Sequence, residues 1–214
     1  VNQPASLAPE GSRADRRRDA IIEAAVEVFL SNGYLGATTD EVAARASVSK
    51  QTLYKHFGDK QKLFAEIIQD STIQVGEGLA TAAADALRDA KDVRKALREV
   101  ADIFLRSMLK PEVVRLRRLV IAEADRFPDV GRAWYERGFE RTLAAVGEAM
   151  QGLADRGLLH NVADPTLAAH QFAGLVMYQP MNQLMFAGTS TRPSPARLRK
   201  IADAAVDMFL ASYG

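Results

Sequence analysis

The 214-residue chain contains no cysteine. That excludes a disulfide scaffold, a thiolate zinc site, an iron–sulfur cluster, a cysteine nucleophile and any cysteine-based redox sensing. Long hydrophobic runs are missing as well. Every apolar stretch meets a charge or a turn residue well before 18 positions, so nothing is expected to span a membrane. The opening VNQPASLAPEGS has no continuous apolar run of signal-peptide length, which reads as a cytoplasmic protein whose residues 1–14 form a disordered arm. No stretch alternates β-branched and polar residues, which argues against a sheet. Nucleophile motifs, phosphate-cradling glycine loops and metal-ligand clusters are lacking, and His160 and His170 stand isolated. We therefore expect no catalytic residue, no metal and no cofactor.

What is present is helix-forming. Hydrophobic residues make up 48% of the chain and charged residues 26%. A chain of this length removes roughly 70% of its accessible surface on folding, enough for one large core or for a small domain beside a larger one. Ala, Leu, Glu, Arg and Lys dominate, and the punctuation predicts nine helices in an all-α fold. The first spans about 15–31, with Ile21, Ala25, Val28 and Phe29 on one face and Asn32-Gly33 closing it. Thr38 to Glu41 form a capping box that opens a short second helix to about Arg45, burying Val42, Ala43 and Ala46. Ser49 caps a short third, with Leu53 and Phe57 inward, and Gly58-Asp59 separates it from a fourth over about 60–79. Five further helices are predicted over about 92–109, 111–126, 129–154, 165–186 and 196–213, bounded by Pro111, Phe127-Pro128, Gly157, Asp164-Pro165 and the loop 188–195. We divide the chain into the arm, a unit over 15–64 and a helical domain over 65–214.

The net charge of +1 conceals a local excess: from Arg45 to Lys62 there are five basic residues and one acid, Asp59. Helices two and three, parted only by Ser47-Val48, have the form of a helix-turn-helix. A short second helix fits a major groove about 12 Å wide, its polar N-terminus toward base edges and Leu53 anchoring its inner face. Thr38, Tyr54, His56 and Lys60 are spaced to meet phosphates, with Lys55 beside them. Spacing alone leaves an ordinary helical hairpin equally open.

The stretch TTDEVAARASVSKQTLYKHFGDKQKLF, residues 38–64, resembles the DNA-binding segment of the TetR family of bacterial transcriptional repressors. The likeness extends back to about residue 15. It implies Lys50, Gln51 and Thr52 at base edges, where Gln51 suits adenine and Lys50 guanine. The sequence departs from the family pattern at Ser47, where glycine is usual; a positive φ there would strain a serine. The Arg13–Arg18 cluster is a candidate contact to an adjacent minor groove or backbone.

A weaker resemblance to one TetR-type regulatory domain covers about 111–187, through residues 118–124, Arg126-Phe127-Pro128 and Gly157-Leu158-Leu159. It implies a ligand pocket and a homodimer built by the last two helices. Their apolar stripes supply the interface candidates Leu167, Leu175, Leu184, Leu198, Ile201, Ala205 and Met208. Pro180 interrupts the backbone bonding of its helix, and a kink is expected there. Around and beyond it, Phe172, Val176, Met177, Gln179, Met181, Phe104, Met108, Trp134 and Phe139 are candidates to line a pocket for a small apolar molecule.

The expectation is a ligand-responsive homodimeric repressor released from a palindromic double-stranded operator by a small apolar effector. The alternatives are a protein-interaction bundle without DNA binding, which sequence-selective DNA binding would exclude, and a helical enzyme using Glu123, Asp125 or His170, which turnover without operator binding would favour.

Overall fold

The computed structural model describes the backbone from Glu10 onward and side chains from Asp15. The described residues form nine helices and a 3-10 turn, without strands. We number them α1 (Glu10–Gly36), α2 (Thr39–Arg45), α3 (Lys50–Phe57), α4 (Lys60–Arg88), α5 (Val93–Met108), α6 (Pro111–Glu123), α7 (residues 128–155), α8 (Pro165–Ala187) and α9 (Pro195–Tyr213). The chain separates into two compact units, one ending at Gln69 and one beginning at Asp70. Helix α1 starts five residues ahead of the expected Asp15, so 10–14 are helical and not part of a disordered arm; residues 1–9 lie outside the described residues.

In the first unit, Ile21, Val28 and Phe29 of α1, Val42 of α2, Leu53 and Phe57 of α3, and Leu63, Phe64 and Ile67 of α4 are all buried. Tyr34 follows the break at Gly33 (φ 67°) and meets Phe64 edge-on at 5.0 Å. Ala46, expected inside, is only half-buried.

In the second unit, α5 and α7–α9 enclose a core that includes Leu97, Val100, Leu105, Val146, Met150, Phe172 and Phe209. Helix α4 continues nine residues past the expected end at Leu79, to Arg88. Gly76 and Gly78 weaken the helical pattern there. The Arg156 guanidinium satisfies the end of α4 by donating to the carbonyls of Leu87 and Ala90, both at 3.0 Å. Gly76 is a packing residue: a Cβ on it would lie 3.1 Å from Thr142 Oγ1 and 3.3 Å from the Gly138 carbonyl.

The segment Trp134–Glu140 of α7 winds as a π-helix. Such segments are rare and often mark functional sites. Here the widened turn carries Gly138 against α4, where a Cβ would come within 2.5 Å of Thr72 Cγ2. Helix α8 runs without interruption through the buried Pro180.

Candidate nucleic-acid interface and ligand cavity

The turn between α2 and α3 is a Schellman motif. Ser47 N–H donates to the Ala44 carbonyl (3.2 Å) and Val48 N–H to that of Ala43 (3.0 Å), with Ser47 left-handed at φ 54°. The serine thus occupies the conformation that glycine adopts at no cost. Both helices start on side-chain caps. Thr38 Oγ1 accepts from Glu41 N–H at 3.1 Å, and Ser49 Oγ from Thr52 N–H at 3.1 Å. The capping box at Thr38 is half made, because the Glu41 carboxylate accepts from Asn32 Nδ2 (2.8 Å) and pairs with Arg45.

These caps present the N-terminal turn of α3 to solvent. Lys50, Gln51 and Lys55 are exposed, while Leu53 and Phe57 are buried beneath them. Lys50 Nζ lies 2.7 Å from Asp40 Oδ1 and 6.0 Å from the Tyr54 ring centroid. The hydrogen bond that Lys50 donates to the Asp40 carboxylate holds the Lys50 pKa above its ordinary value. The Tyr54 hydroxyl lies 3.2 Å from Thr39 Oγ1, fixing the ring of a half-exposed tyrosine. Thr52 is half-buried, its hydroxyl 2.8 Å from Ser49 Oγ. Thr38 is exposed, His56 is half-buried beside Phe57, and Lys60 Nζ sits 4.5 Å from the Tyr34 ring centroid. In the basic cluster upstream, Arg16 and Arg17 are exposed, whereas Arg18 pairs with Glu66 and packs over Phe57. Arg13 lies outside the residues with described side chains.

The second unit holds a cavity of about 430 Å³ walled by α4 to α8. Phe104, Met108, Trp134, Phe139, Met177 and Met181 line it. Phe172, Val176 and Gln179 do not. Phe172 turns inward to meet Phe209 edge-on at 5.1 Å, Val176 is sealed in the core, and Gln179 faces α9, accepting from Arg197 at 3.1 Å. The sequence reading missed the α4 and α6 walls. Thr72, Val75, Gly76 and Leu79 come from the former, and Val113, Arg117 and Ile121 from the latter. The signal for α6 was available: those three residues recur every four positions along one helix row.

One wall is polar. Thr142 Oγ1 donates to the carbonyl of Gly138 (2.5 Å) or Gly76 (3.2 Å), tying the π-helical turn to α4. His170 Nδ1 donates to the Thr166 carbonyl at 2.9 Å, which leaves Nε2 facing Glu140 Oε1 at 3.0 Å. Desolvation lowers the His170 pKa, but the Thr166 carbonyl, Glu140 and Asp164 outweigh it and the net shift is upward. Glu140 is held below the ordinary carboxylate range by hydrogen bonds from Tyr135 and then from His170.

Of the interface candidates, Leu167 and Met208 are exposed, and Leu175, Leu198 and Ile201 are half-buried. Leu184 and Ala205 are buried within their own protomer and are unavailable to a partner. A surface groove along α8 and α9 is lined by Leu175, Tyr178, Met208 and Phe209, among others.

Residues 21–67 match the family model described as bacterial regulatory proteins, tetR family. Residues 95–214, more than half the chain, match that of the AefR-like transcriptional repressor C-terminal domain. The chain belongs to the TetR family. Its members are transcriptional regulators rather than enzymes, and this chain carries the family's helix-turn-helix domain. A TetR-family transcriptional regulator from Mesorhizobium loti MAFF303099 is similar over 94% of this chain and 98% of its own, at 42% identity and a TM-score of 0.89. The transcriptional activator FasR of Mycolicibacterium smegmatis is 38% identical over 104 residues, 48% of this chain and 46% of FasR. The transcriptional repressor NicS of Pseudomonas putida is 33% identical over 105 residues, 49% of this chain and 48% of NicS. The match thus spans about half the length of these curated relatives. Among the described residues no helix is long and apolar enough to cross a membrane.

Proposed function

We propose that this TetR-family protein is a cytoplasmic, homodimeric repressor that binds a palindromic operator and leaves it when a small molecule fills the α4–α8 cavity. The observation that carries the reading is the capped, solvent-facing tip of α3, with Lys50 and Gln51 over a buried Leu53. A helix this short reaches few base pairs, so useful specificity needs two copies in successive major grooves about 34–36 Å apart. The exposed Leu167 and Met208 with the α8–α9 groove supply an apolar surface for the second copy. Lys50, Gln51 and Thr52 are assigned to base edges, and Thr38, Tyr54, Lys55, His56 and Lys60 to phosphates. The description of the matched C-terminal model favours repression, although FasR and NicS carry opposite signs in their names.

Selection of bound fragments from a random DNA pool tests this. A two-fold symmetric motif with half-sites one helical turn apart, or a multiple of it, is expected; no enrichment would refute DNA reading by this tip. Effector and operator must weaken each other by the same factor. Effector affinity unchanged by saturating operator would refute the release mechanism.

A further inference from the structure

The Thr142 and His170 wall of the cavity is internally hydrogen-bonded, which leaves Arg117 as the charged lining group that nothing around it neutralises. Helix α6 lays Val113, Arg117 and Ile121 along one row into the cavity, placing a guanidinium between two aliphatic side chains. Its neighbour Arg118 is engaged elsewhere, donating from one nitrogen to the carbonyls of Leu184 and Met185 (the latter at 2.8 Å) at the end of α8. Arg117 has no such role. It has neither an ion-pair partner nor a hydrogen-bond partner among the described residues, and none of the residues lining the cavity is acidic. Glu140, which is not among the lining residues, is committed to His170 and Tyr135. Burial pulls the Arg117 pKa below the usual arginine value, yet an arginine stays charged under any ordinary condition. A half-buried, partly desolvated positive charge in a methionine- and aromatic-lined chamber carries a desolvation cost while it is alone. An anion removes that cost and gains a forked, charge-assisted hydrogen bond. The walls meanwhile accept an apolar body, and the volume lies in the range of small-molecule sites, roughly 300–1,000 Å³.

We infer that the effector of this cavity is an amphipathic anion, an apolar chain or ring bearing one carboxylate, with Arg117 as the partner of that carboxylate. The inference rests on the reading of the cavity as the effector site and names the ligand's chemical class. The Met108, Met177, Met181 and Met185 side chains adapt to either an aliphatic or an aromatic body, so the two sources are separated by experiment.

The test uses the full chain with N-phenyl-1-naphthylamine as a fluorescent occupant, displaced by matched competitors. Dodecanoate is compared with 1-dodecanol and dodecyltrimethylammonium, and 2-naphthoate with 2-naphthol. At least one carboxylate is expected to bind about tenfold or more tightly than its neutral counterpart, with the ammonium weaker still. Arg117→Gln should abolish that preference while leaving the alcohol's affinity unchanged, and Arg117→Lys should restore part of it. Circular dichroism of both variants checks folding. Equal displacement by acid and alcohol, an unchanged ratio in Arg117→Gln, or no displacement by any competitor would overturn the inference. The operator from the pool selection separates it from the broader reading. Alcohols that bind as well as acids and release the operator sink the charge assignment alone. Carboxylates that bind with the expected preference but leave operator affinity unchanged support the anion site and sink the effector role.

Discussion

Ser47 carries a cost that a single substitution exposes. A left-handed φ of 54° places Cβ against the following carbonyl, a conformation costing roughly 1–2 kcal/mol in a residue other than glycine. Ser47→Gly should therefore stabilise the first unit by about 0.5–1 kcal/mol once glycine's greater unfolded-state freedom is subtracted, read as a higher urea midpoint. An unchanged midpoint would mean the serine is not strained. Arg117 makes the converse case. Arg117→Met removes an unpaired charge from apolar surroundings, so Tm should rise, by about 2–4 °C for each 1 kcal/mol in a chain of this size. At His170 the raised folded pKa fixes the sign of the pH dependence. Its contribution is fully present below the unfolded histidine value of about 6.5 and is lost as pH rises through the higher folded value. An NMR titration should place the His170 midpoint above 6.5, and Glu140→Gln should lower it; a midpoint at or below 6.5 in the unmodified chain would contradict the geometry.

At the scale of elements, close helix approach depends on glycines whose role is steric. A Cβ on Gly147 of α7 would lie 2.8 Å from the Pro165 carbonyl oxygen, an atom of backbone that has no rotamer to escape into. Gly152, one and a half turns further on, has nothing within 4 Å. Gly147→Ala should destabilise by about 1–3 kcal/mol, and Gly152→Ala should stabilise by about 0.5–1 kcal/mol, both by chemical denaturation. Similar effects of the two would contradict the packing. The same contrast explains what a sequence makes legible. Caps and stops are local, so Thr38, Ser49, Gly58 and Asp164 could be read directly, and the elements carrying the DNA-facing tip were placed from them. The end of α4 depends on Arg156, far along the chain, and the π-helical turn on the meeting of Gly138 with Thr72. Neither leaves a periodic signature. The cavity was half legible for the same reason: its aromatic and methionine residues draw notice, while Arg117 gains meaning only from the absence of a partner in space.

For the whole molecule, the α4 segment Lys60–Arg88 contributes residues to each unit. Leu63, Phe64 and Ile67 are in the buried core of the first, and Thr72, Val75, Gly76 and Leu79 line the cavity of the second. The proposed function depends on α3 reading bases. The most direct measurement is the affinity of Gln51→Ala and Lys60→Ala for the selected operator and for each of its single-base variants. Gln51→Ala should lose about 1–3 kcal/mol of discrimination at one position per half-site, while Lys60→Ala weakens every sequence alike. Uniform loss across all variants for Gln51→Ala would contradict the account.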